Sequence, residues 1–184
     1  MPSYSIGRDF AGIVSRDRAA DALQDRVAQL FEEARDDVYR YLLLIGVDPP
    51  QAQEATQEVF LRLYAALKSG EQIQSPRGWV FRVAHNLGLN IRARQSARAA
   101  FDPDLESRLA SPELDPERSL IEREKQMRFH KAVEGLSEQQ RRCLHLRLEG
   151  LRYPEIAAVL GISASAVGEF LRRAIVRLRK VTNE

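Results

Sequence analysis

Hydrophobic residues recur at steps of three and four along most of the chain, and no segment alternates with the period of two that a half-buried strand requires. The pattern predicts an all-α protein. A first helix is expected from about Asp21 to Ile45, with Leu23, Val27, Leu30, Ala34, Val38, Tyr41 and Ile45 along one stripe. The paired prolines of "GVDPP" end it, because proline cannot continue a helix interior. A second helix is expected from about Gln51 to Leu67, with an apolar face of Ala52, Ala55, Val59, Leu63 and Ala66, flanked by Phe60 and Leu67. Its opposite stripe is Glu54, Gln57, Glu58 and Leu61. Charges alone would make that an ordinary solvated face. A leucine in the middle tilts the reading toward a partner surface.

The third helix spends its residues differently. In "SPRGWVFRVAHNLGLNIRARQ" Ser75 is placed to cap and Pro76 suits the first helical position. At 100° per residue, Val80, Val83, Ala84, Leu87 and Ile91 face the core. The only tryptophan, Trp79, falls instead beside Arg82, Asn86 and Asn90, and His85 falls on the same exposed side. Trp79 either covers the rim of the core or stacks on an unpaired base, with arginine and amide groups holding phosphates and base edges.

Near the C-terminus, "LSEQQRRCLHLRLEGLRYPEIAAVLGISASAVGEFLRRAIVRLRK" reads as helix, turn, helix. Ser137 and Gln140 form an S-x-x-Q capping box for a helix through Leu148, ended by Gly150. Pro154 starts a short helix to Leu160, Gly161 supplies a left-handed turn, and Ser163 caps a long last helix. Ala157, Gly161 and Val167 keep the spacing of a DNA-binding helix-turn-helix. The last helix buries Val167, Leu171, Ala174 and Leu178. It exposes Ser165, Gly168, Glu169, Arg172 and Arg173 to a major groove. Arg177 and Lys180 extend its basic side.

Charge changes the picture only when it is mapped. The 184 residues carry a net charge of just +2, yet Ser75 to Ala100 holds five arginines (77, 82, 92, 94, 98) and no acid. Phe101 to Glu124 reverses this, with eight acids against three arginines. Three prolines and weak periodicity mark residues 101–118 as an acidic linker between two small helical modules. The domains are therefore an unassigned N-terminal extension (1–20), a helical module (21–100), the linker (101–118) and a helix-turn-helix module (119–184). No apolar run reaches a membrane span and no secretory signal pattern opens the chain. A single cysteine, Cys143, excludes an internal disulfide and fits a cytoplasmic protein. Enzymatic chemistry finds no support. Cys143 and His145, two apart on a helix, point about 200° apart, too far for a dyad or a shared metal. No phosphate loop or zinc-spaced cysteine set is present, so no cofactor or metal is expected.

Three of these segments, in this order, resemble a known family. "YRYLLLIGVDPPQAQEATQEVFLRLYAAL", "SPRGWVFRVAHNLGLNIRARQ" (compare the commonly written PRAWLFRIARNLAID) and "LSEQQRRCLHLRLEGLRYPEIAAVLGIS" are similar to conserved regions two and four of bacterial sigma factors of the extracytoplasmic-function class. The resemblance covers about Leu30 to Lys180. It implies a sigma factor that binds core RNA polymerase, directs it to promoters and helps melt the minus-ten element. Glu54, Gln57, Glu58 and Leu61 match the stripe that grips the polymerase clamp helices, although Gln53 stands where an acid is common. Trp79 matches the aromatic beside the melted minus-ten element, with Arg77, Arg82, His85, Asn86, Asn90, Arg92 and Arg94 around it. The loop Lys68 to Gln74 matches the one that pockets a flipped-out base. Ser163, Ser165, Gly168, Glu169, Arg172, Arg173, Arg177 and Lys180 become minus-thirty-five contacts. Expected partners are core polymerase and promoter DNA, duplex and melted; an anti-sigma factor is left open.

The sequence departs from the family at Gly168, Glu169 and Phe170, where lysine, serine or threonine, and arginine are common. A different minus-thirty-five preference and a weaker electrostatic grip follow. The alternative is a stand-alone helix-turn-helix regulator that binds duplex DNA without polymerase.

Overall fold

The structure is a computed structural model. It describes residues 7–99 and 131–182, with side chains described for residues 21–97 and 131–180. Six helices carry the architecture: α1 (Gly7–Leu44), α2 (Pro49–Lys68), α3 (Pro76–Ala99), α4 (Glu138–Leu148), α5 (Tyr153–Leu160) and α6 (Ala164–Thr182). There is no strand among the described residues. The acidic linker and the start of the expected second module lie outside them.

Local chemistry accounts for the boundaries. Asp48 takes the extended backbone of an N-cap and accepts from the Gln51 amide at 2.9 Å, so α2 starts at Pro49. The prolines that stop α1 thus occupy the first turn of α2, where their missing N–H groups cost nothing. The capping box of α4 is complete: the Gln140 amide donates to Ser137 Oγ, and the Ser137 amide donates to Gln140 Oε1. Gly161 closes α5 at φ +66°, a conformation that costs glycine little. Ser163 Oγ accepts from the Ala166 amide at 3.1 Å to open α6. α1 starts earlier than its apolar stripe, at Gly7, and α3 runs on to Ala99.

α1, α2 and α3 pack on one another around Ala34, Val38, Leu42, Val59, Leu63 and Phe81. α4, α5 and α6 pack likewise around Leu146, Ile156, Val167 and Leu171. The two halves are not separate. α5 lies against α3, and the buried apolar cluster runs continuously through both. The buried stripe of α3 is rotated from the expected one, with Phe81 and His85 both against Tyr41 of α1. Val80, Phe81, Ala84 and His85 are buried, while Val83, Leu87 and Ile91 are only partly covered. Among the described residues no single helix is long and apolar enough to cross a membrane.

Candidate functional site

On α2 the outward stripe is as the periodicity places it. Glu54 and Gln57 are exposed, and Leu61 keeps 65% of its surface in solvent despite its apolar chemistry. Glu58 accepts from Arg62 Nε at 2.7 Å, one turn on. An open groove beside this stripe, between α1 and α2, is lined by Phe31, Arg35, Tyr39, Gln53 and Gln57.

α3 presents a second face. Arg82, Asn86, Asn90 and Arg94 are exposed along it, and Trp79 sits half-buried at its border. The indole Nε1–H donates to Glu71 Oε1 at 3.3 Å, which joins Trp79 to the loop before α3. That loop contact had no signal in the periodicity. Ser75 caps α3 by accepting from the Gly78 amide at 3.2 Å.

Three residues expected on this face are placed otherwise. His85 is buried, a correction to its exposed position on the helical wheel. Its Nδ1 lies 2.9 Å from Tyr41 Oη, and the two share a hydrogen bond. Wheel geometry sees one helix at a time, and His85 is covered by its neighbours. Burial, then the nearby Arg142 charge, hold its pKa below the usual histidine range. Arg77 turns away from the face. Its Nε donates to the Glu149 carbonyl at 2.8 Å, and its Nη2 to Asp37 Oδ2 at 2.6 Å and Glu149 Oε2 at 2.9 Å. Arg92 reaches Glu138 at 3.9 Å.

Around Arg77 two part-buried carboxylates meet. The Asp37 and Glu149 side chains are only 17% and 16% exposed. Two carboxylates there cannot both ionise without cost. Glu149 is pushed up by burial and by Asp37, while at Asp37 hydrogen bonds from Glu149 and Arg77 overcome burial and hold the pKa down. Beside them the Tyr41 ring lies 5.6 Å from the His145 ring, and burial lowers the His145 pKa. His145 Nε2 is buried without a hydrogen-bond partner, 3.8 Å from Glu149 Oε1. Cys143 is buried nearby, and burial raises its thiol to about 11, leaving it inert as a nucleophile. Among the described residues no group of three His, Cys, Asp or Glu is placed to hold a metal.

On α6, Ser163 and Ser165 are exposed at the N-terminal end, with their Oγ atoms 3.0 Å apart. Gly168 faces Tyr153 of α5, where an added Cβ would lie 3.5 Å from the ring. Phe170 packs at the edge of the core. Glu169 is engaged by two arginines: Arg172 donates through Nε and Nη2, each at 3.0 Å, and Arg173 through Nε at 2.7 Å. Those bonds hold the Glu169 pKa down at about 2, so it is an acceptor at any physiological pH. Arg177 and Lys180 continue the basic side, exposed.

Comparison with known proteins now gives these faces a family. Sigma-70 region 2 matches residues 30–98, and Sigma-70 region 4 matches residues 126–178. The chain belongs to the sigma-70 family of bacterial sigma factors. Its curated relatives are sigma factors of the ECF class. The ECF RNA polymerase sigma factor SigE of Mycolicibacterium smegmatis is 28% identical over 166 residues, covering 86% of this chain and 64% of that protein. The ECF RNA polymerase sigma factor BldN of Streptomyces coelicolor is 29% identical over 175 residues, covering 92% of this chain and, again, 64% of the relative. The fold is shared with the sigma factor RpoE of Bartonella quintana, solved with the anti-sigma factor NepR. Its TM-score is 0.64 at 18% identity, over 85% of this chain and 96% of that one.

Proposed function

We propose that the protein is a sigma factor that binds core RNA polymerase through α2, reads and melts the minus-ten element with α3, and reads the minus-thirty-five element with α6. One observation carries this reading. A single chain of this family holds a helix-turn-helix with a basic last helix and, on another helix, a half-exposed tryptophan among Arg82, Asn86 and Asn90. Stacking of an unpaired base on such an aromatic contributes about 1–3 kcal/mol, enough to offset the few kcal/mol that flipping a base costs. A stand-alone regulator binding only duplex DNA has no use for that second face. The protein does its work by binding, without catalytic chemistry, cofactor or metal of its own, in the cytoplasm where polymerase is found. An anti-sigma factor, of the kind seen with the related RpoE, is the partner class that would hold it inactive.

Run-off transcription with core polymerase and a promoter from the upstream region of the protein's own gene tests the proposal. A transcript that depends on the protein supports it. Promoter binding without polymerase, combined with no transcript, would favour the regulator. The α2 face has its own test: a variant carrying Glu54→Lys, Glu58→Lys and Leu61→Asp should lose most of its affinity for core polymerase with its helicity unchanged. Core binding equal to wild type would show that polymerase binds elsewhere.

A further inference from the structure

Arg77 is expected at the promoter, yet in the structure its Nε and Nη2 are engaged within the protein, with the side chain 31% exposed. It reaches from the first turn of α3 to Asp37 on α1 and to both the side chain and the carbonyl of Glu149, just past α4. Around it Ser75 and Gly78 meet Glu155 of α5, whose Cγ would lie 3.5 Å from a Cβ on Gly78. Tyr41, hydrogen-bonded to His85 of its own half, lies with its ring against His145 of the other. At this end of the seam the shared apolar cluster gives way to part-buried charged groups, Arg77, Asp37 and Glu149. Such seams between parts of a chain resemble transient interfaces, for which relative motion is the default.

The docked arrangement conflicts with reading both promoter elements. Elements named minus ten and minus thirty-five lie about 25 base pairs apart, roughly 85 Å along duplex DNA at 3.4 Å per pair. In the structure α5 packs on the start of α3, and α6 packs on α5. Packed helices lie about 8–10 Å apart, so the Trp79 face and the start of α6 are separated by roughly 20–30 Å. The residues numbered 100–130 have an extended reach of roughly 100 Å, so the covalent connection does not forbid the larger separation.

We infer that the Arg77–Asp37–Glu149 clasp is a latch holding the two halves in a closed resting form, and that promoter phosphate competes with the two carboxylates for Arg77. The promoter half of this inference rests on the sigma-factor reading; the latch itself does not. Its logic is ligand exchange. A guanidinium takes carboxylate or phosphate in the same forked geometry, so DNA can capture Arg77 only as Glu149 gives it up. α5 then leaves the start of α3. Arg77 is thereby both a promoter contact and the residue that withholds the promoter face.

A reversible crosslink in the full chain tests both parts. In the double variant Gly78→Cys/Glu155→Cys, mild oxidation should form a disulfide across the α3–α5 contact, read as a mobility change on non-reducing gels. The oxidised protein should give about tenfold less run-off transcript or lower, restored by reductant. Adding Glu149→Ala should slow crosslinking several-fold while the helical signal is kept, since the clasp has lost one jaw. The latch is overturned if the two cysteines, reactive toward a thiol reagent, do not crosslink, or if Glu149→Ala leaves the crosslinking rate unchanged. A locked form that transcribes as well as the reduced one overturns the resting-state claim. Should the reduced variant and the wild type both fail to transcribe, the sigma-factor reading falls, and the crosslinking rates still decide the latch.

Discussion

Trp79 and Glu169 show how a side chain's partners in the free protein bear on its work. Trp79 keeps one face at the border of α3 while its N–H is held by Glu71. Trp79→Ala should impair promoter opening more than recruitment, seen as lost permanganate reactivity on duplex templates that pre-melted templates largely restore. Equal loss on both would point to a damaged fold, and no loss on either to a tryptophan that only covers the core. Glu169 spends three of its roughly four acceptor positions on Arg172 and Arg173, which leaves one for a cytosine N4 donor. Glu169→Ala should therefore act twice. Preference at one minus-thirty-five base pair relaxes, and the two released arginines strengthen binding to every sequence and steepen its salt dependence. Selection over randomised minus-thirty-five sequences, with a salt titration, reads both. An unchanged motif together with an unchanged slope would remove Glu169 from the DNA surface.

At the scale of elements, two glycines separate packing from backbone. A Cβ on Gly88 of α3 would lie 2.3 Å from Ile45 Cδ1 and 3.1 Å from Leu42 Cδ2, so this glycine sets how closely α3 crosses the end of α1. Gly88→Ala should cost about 1–3 kcal/mol by overpacking. Gly161 has nothing within 4 Å of its added Cβ but sits at φ +66°, so Gly161→Ala should cost about 1 kcal/mol through the backbone alone. Thermal melts of the two variants check the order. The helices themselves were largely legible because their punctuation is local: Ser137 with Gln140, Gly161 before Ser163, the prolines after Asp48. Asp48 is not legible as a cap, because the prolines after it read first as a stop. The outward stripe of α2 was legible for the same reason, since an exposed Leu61 breaks a one-helix pattern. His85 and Arg77 were not. Their positions depend on Tyr41 and Glu149, 44 and 72 residues away, and no periodicity within one helix carries that information.

At the scale of the whole molecule, the docked seam should respond to pH. His145 faces Tyr41, Asp37 and Arg40 from α1 and Glu149 from beyond its own helix; His85 faces Tyr41 and Arg142. Both histidines have lowered pKa values when docked, so an opened form binds more protons below about pH 6.5 and docking weakens as pH falls through that range. Glu149 has the opposite sign. Its raised pKa makes docking gain protons nearer the carboxylate range, which offsets the histidines only at lower pH. Asp37, with its lowered pKa, loses its contribution below its ordinary value near 3.8. Crosslinking of the Gly78→Cys/Glu155→Cys variant, corrected for thiol ionisation, should thus slow between pH 7.5 and about 6. His145→Gln should flatten that dependence. A flat profile in the parent would show that neither histidine is coupled to docking.

The dual engagement of Arg77 also bears on how such a protein can change over generations. A substitution at Arg77 alters the resting form and the promoter contact together, so selection on one is paid in the other. Glu149 and Asp37 touch only the resting form. They are the positions where a lineage, or an engineer, can raise or lower background transcription while the set of genes addressed stays the same.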